Sequence, residues 1–167
     1  MAYAITSNNH VGAQPIANNS TVQNHKIGTI ITAEDPTYGE GEFIYLQGVA
    51  STLVGTIVTW HDADTTLGLT AFSTTAVDSG EPLAVAMAAT VASEFGWYQI
   101  SGIAVLGKAN TLSLAPGVDL AIASGLAIAA ATTNRVSGLN TAITASASTL
   151  VITVPCLIQR PSGPGVG

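Results

Sequence analysis

The chain has 167 residues, of which only 8% are charged, where a globular domain ordinarily carries about a quarter. Its formal net charge is −6, and its four cations, Lys26, Lys108, Arg135 and Arg160, stand far apart and form no basic run. That balance argues against a nucleic-acid partner, which needs clustered Lys and Arg.

Residues 1–26 are polar, rich in Asn and Gln, broken by Pro15 and without hydrophobic period. They predict an extended N-terminal arm, either disordered or ordered on a neighbouring subunit. The arm lacks the basic and apolar regions of a signal peptide. A β-rich domain is expected over 27–160. Its first strand is Gly28 to Ala33, ended by the turn cluster Glu34-Asp35-Pro36-Thr37-Tyr38-Gly39. Strands are expected next at Glu42 to Gln47 and at Leu53 to Trp60, the latter closed by an acidic turn at His61-Asp62-Ala63-Asp64. Gly28-Thr29-Ile30-Ile31-Thr32 is echoed by Gly55-Thr56-Ile57-Val58-Thr59. With no third copy this is no solenoid, and two similar strands of one barrel account for it.

Pro82 to Ala88 is a continuous run of small apolar residues, suited to a strand covered on both faces. Thr90 to Glu94 reads as a loop or a helical turn. Phe95 to Leu106 concentrates the aromatics and predicts two strand segments meeting at a kink at Gly102. Short strands are expected at Leu112 to Leu114, Asp119 to Ala123, Leu126 to Ala131 and Leu150 to Pro155. Turns fall at Ala115-Pro116-Gly117, Ser124-Gly125 and Asn134-Arg135. Residues 161–167, rich in Pro and Gly, read as a flexible tail. The apolar stretch from Ala121 to Ala131 is too short for a membrane span, which takes about 20 residues. The fold class is all-β, a small barrel or sandwich of short strands with an arm and a tail.

Chemistry is sparse. His10 and His25 lie on the arm, a poor platform for catalytic geometry. Cys156 reads as a small core residue. His61, Asp62 and Asp64 offer an imidazole and two carboxylates, but an acidic turn accounts for them. Trp97-Tyr98 suits a sugar-stacking platform, yet a chain with 5% aromatics needs its rings inside. No catalytic, cofactor or metal residue is assigned, and an enzyme is not expected. An Ala-rich core buries little area per residue, at about 25 cal/mol per Å². Burial in an assembly would supply further stability.

Gly39 to Ala50, Val54 to Trp60, Ala84 to Ala89 and Phe95 to Val105 resemble small structural proteins of tailed bacteriophages, among them capsid decoration or cement proteins. The resemblance spans roughly residues 25 to 130. It implies a β-rich body on the outer surface of the virion capsid. Such a body is often a homotrimer, bound to the major capsid protein where capsomers meet, with neither membrane nor nucleic acid as partner. It supplies no active-site residues. A tail or fibre component and a carbohydrate-binding module are the alternative readings.

Overall fold

The computed structural model describes residues 3–5, 12–48, 52–63, 66–71, 82–108, 113–123, 126–129, 136–144 and 152–162. These form strands and loops, with no helix among them. The strands are β1 (Ala4–Ile5), β2 (Asn19–Ser20), β3 (Ile30–Asp35), β4 (Gly39–Gln47), β5 (Ile57–Ala63), β6 (Thr66–Ala71), β7 (Leu83–Ala86), β8 (Phe95–Lys108), β9 (Leu120–Ala123), β10 (Leu126–Ala129), β11 (Ser137–Thr141) and β12 (Ile152–Ser162). Their main path runs β1-β3-β4-β8-β7-β5-β6. Strands β2, β10 and β12 also pair with β8, β9 pairs with β10, and β11 with β12. Every pairing is antiparallel except one bridge between Ala127 and Lys108. Among the described residues the sheet is not closed, which is consistent with a small β sandwich.

Strand β8 organises the fold. Its first half lies between β4 on one side and β2 and β7 on the other; its second half pairs with β12. The change of partner falls at Ser101, which faces both Glu42 and Gln159. Gly102 follows with φ +99°, in the left-handed region that glycine enters without strain. Tyr98 and Ile100 pack in one core cluster with Ile44, Leu46, Val58, Ala84 and Ala86. Past the kink, Ala104 and Leu106 join a different cluster, with Leu114, Leu120, Val136, Leu139, Cys156 and Ile158. The expected bend at Gly102 is therefore present within one continuous strand, and it carries β8 from one core to the other.

Strand β7 is buried along its whole length. Ala84 and Ala86 face one cluster, Leu83 and Val85 the other. Side chains of period two explain why this run has no polar position. In the β3–β4 hairpin the Asp35 carboxylate accepts from the amides of Thr37 (2.8 Å) and Tyr38 (3.1 Å), and Gly39 has φ +75°. An aspartate at that place bonds its own turn amides, so the turn is local chemistry.

The sequence echo has a structural counterpart. Lys26–Thr29 and Leu53–Thr56 are both turns closed from the last amide to the first carbonyl at 3.1 Å. Each has glycine third, at φ +84° for Gly28 and +81° for Gly55, as a type II turn requires. Gly28 N–H donates to the Tyr45 carbonyl and Tyr45 N–H to the Thr29 carbonyl. Gly55 and Thr56 make the same pair of bonds with Ala86. Tyr45 and Ala86 lie on β4 and β7, the two flanking partners of β8. The echo thus marks matching positions two strands out on either side of β8.

Several expectations change. The strand expected from Leu53 starts at Ile57, because 53–56 is the type II turn. The acidic turn at 61–64 is strand through Ala63, paired with β6; Asp64 lies outside the described residues. Of the two alternatives for 90–94 the loop is the one present, following a bridge from Thr90 to Thr52, with Ser93 at φ +75°. Strand β12 reaches Ser162, past the expected start of the tail. The turns at 124–125 and 134–135, the ends of the strands expected at 112, 130–131 and 150–151, and residues 163–167 lie outside the described residues.

The described part of the arm is folded onto its own body. Residues 12–26 form a strap: β2 pairs with the start of β8, and Ile16 is buried with Ile31, Phe43, Met87 and Trp97. Further out, β1 pairs with β3. Polar composition alone does not predict this, because the amides bond backbone groups of the body.

Candidate functional site

The densest polar and aromatic constellation lies beneath the strap. Gln14 is its hub. Its carbonyl accepts from Trp97 Nε1 at 2.9 Å, and its side-chain amide donates to the Asn18 carbonyl at 2.6 Å and the Phe95 carbonyl at 3.3 Å. Gln14 Oε1 accepts from Asn24 Nδ2 at 2.9 Å and from the Tyr45 hydroxyl at 3.3 Å. Its main-chain N–H donates to His25 Nε2 at 3.1 Å. The His25 ring stands edge-on to Tyr45, with centroids 5.0 Å apart, and tilted against Trp97 at 5.3 Å. Tyr45 and Trp97 meet edge to face at 5.0 Å.

Two smaller anchors complete the strap and the chain before it. Asn19 Nδ2 donates to Glu94 Oε2 and to the Ala89 carbonyl, both at 2.6 Å, and Glu94 Oε2 also accepts from Val91 N–H. Tyr3 packs edge-on to Phe43 at 4.8 Å and donates to the Ile103 carbonyl at 2.8 Å. Burial raises the Tyr3 hydroxyl above the ordinary phenol range. Its oxygen accepts from Gln99 Nε2 at 3.3 Å.

This arrangement holds the strap against the body. Trp97 and Tyr98 are each 1% exposed, so neither presents a face to a sugar ring. Burial likewise raises the Tyr98 hydroxyl, which shares a hydrogen bond with Thr90 at 2.9 Å. Among the described residues no group of three or more His, Cys, Asp or Glu is placed to hold a metal ion. His61 and Asp62 lie in β5 opposite Gly68 and Leu67; His10 is outside the described residues. Cys156 is buried in β12 opposite Ala104, and burial pushes its thiol up to about 12.

A thiol raised in this way stays neutral in the fold while the unfolded chain ionises near its ordinary value of about 8.5. Its contribution to stability is whole below that value and declines as pH rises toward 12. Cys156 is expected to resist an aromatic disulfide reagent at neutral pH and to react fully once the chain is unfolded. Rapid reaction of the folded protein would contradict its burial.

Some large apolar side chains are exposed. Leu53 (67% exposed), Val54 (52%) and Val91 (55%) lie next to the paired Thr52 and Thr90. Sequence reasoning finds Cys156 and Trp97 as core residues but misses Gln14, His25 and Tyr3. A signal was available in Ile16, a large aliphatic in an amide-rich stretch. No family model matches the chain, and no curated protein or solved structure matches it either.

Proposed function

We propose that this chain is a structural protein of a tailed-phage virion. In this reading it is a capsid decoration, or cement, protein, a homotrimer bound to the major capsid protein on the outer face of the shell. The observation that carries the reading is the exposed group Leu53, Val54 and Val91 on a body with very few charges. Such a surface gains by being covered with protein, at about 25 cal/mol per Å² of apolar area. The mechanism is additive burial: each copy adds contacts across a joint between larger subunits, and symmetry multiplies them. The interior position of Trp97 and Tyr98 weighs against the sugar-binding alternative.

The test adds purified protein to shells that lack it and images the particles. Density repeated over the whole shell is the expected result. Leu53→Asp combined with Val91→Asp is expected to lower occupancy about tenfold or more at matched concentration, because each change would bury a charge. Density at a single vertex would favour a tail or fibre component, and no association with any particle would end the reading. Deleting residues 1–24 is a poor test of an arm reaching across a neighbour. It would remove Gln14 and Ile16 from the chain's own fold.

A further inference from the structure

We propose that the strap of residues 12–26 is latched by a neutral His25, and that protonation of this imidazole in mildly acid solution releases it. Gln14 N–H donates to His25 Nε2 at 3.1 Å, and a ring nitrogen that accepts a hydrogen bond carries no proton. An imidazolium donates from both nitrogens, so protonation sets two N–H groups against each other. The Gln14 amide then loses its acceptor in a largely buried place, where an unmet donor is costly. Gln14 is also the residue that ties the strap to Trp97, Phe95 and Tyr45, so the loss falls on the hub.

The described groups around His25 act in both directions. Strand β4 presents the Tyr45 phenol, which donates to Gln14 Oε1 and accepts from Asn24 N–H at 3.2 Å. Strand β8 presents Trp97, which does not titrate. Lys26 follows His25 on the chain and is exposed. Glu94, just before Phe95, is bound by Asn19 and Val91. An imidazolium is attracted to the Trp97 ring, which opposes release. That attraction restores no acceptor to Gln14, and withdrawal of the charged ring from water acts with release. Opening uncovers the seat of Ile16, formed by Ile31, Phe43, Tyr45, Met87 and Trp97. The latch stands on geometry independent of the proposed assembly role.

Amide exchange at Gln14 and Asn18, followed by NMR on the full chain and corrected for intrinsic rate, tests it. Exchange is expected to quicken about tenfold between about pH 7.5 and 5, the range in which histidine changes charge. His25→Gln, which can accept from the amide but does not titrate there, is expected to remove the pH dependence. Equal protection of Gln14 at both pH values in the wild-type chain would overturn the proposal. So would an undiminished response in His25→Gln, which would assign the effect to His10 or His61. If that variant does not fold, the His25 ring and the Gln14 amide of the wild-type chain must titrate with one midpoint. Two separate midpoints would sink the latch.

Discussion

Gly102→Ala is expected to destabilise the chain by about 2–4 kcal/mol, from a left-handed backbone and a forced contact together. The added Cβ would stand 2.6 Å from the Glu40 carbonyl oxygen and 3.0 Å from Gly41 Cα. Both are backbone atoms of the neighbouring strand, so no side-chain rotation relieves them. Relief would come from straightening β8, and that would move Ala104 and Leu106 out of register with Cys156 and Val154 respectively. Urea unfolding checks the effect: the midpoint should fall with the slope nearly unchanged, since the buried surface is the same. A midpoint shift worth less than about 0.5 kcal/mol, the level of an ordinary surface substitution, would mean that the kink tolerates a side chain and is not a specific glycine site.

Trp97→Ala is expected to cost about 3–5 kcal/mol, the range for removing a buried aromatic. More informative is its partition. Trp97 fills the space beneath the strap and donates Nε1–H to the Gln14 carbonyl. Trp97→Phe keeps most of the ring but leaves that carbonyl unpaired, and should cost about 1–3 kcal/mol. Ile16→Ala should cost about 2–4 kcal/mol by itself. Because Ile16 and Trp97 share one cluster, the double variant should cost less than the sum. Full additivity would mean that strap and body do not depend on each other. Loss of binding to a glycan on Trp97→Ala, with stability intact, would instead revive the sugar-binding alternative.

The legible parts of the fold are those written in local chemistry. The β3–β4 turn was readable because Asp35 and Gly39 each do a turn-specific job. Strand β7 was readable because a strand buried on both faces has no polar position to confuse its pattern. Strands β6 and β11 were not. Thr66–Ala71 and Ser137–Thr141 each hold a glycine, Gly138 has φ +74°, and their strand state is set by β5 and β12. Strands β1 and β2, two residues each, exist only because β3 and β8 offer free backbone groups. The strap misled for a related reason. Amide side chains usually mark solvated chain, yet Gln14 and Asn19 spend theirs on carbonyls of residues distant in sequence. The candidate site was legible only as an exclusion. The scarcity of aromatics placed Trp97 and Tyr98 inside, while the exposure of Leu53, Val54 and Val91 depends on the turn and loop that hold them.

Strand β8 runs for 14 residues and is laced to β4 and β12 by antiparallel ladders. Traction applied along β8 would load each of those ladders in shear, so many bonds must give way at once. Traction across it would peel them singly. The body should therefore be stiff along one axis and weak along the other, and single-molecule stretching from paired attachment points would read that anisotropy directly.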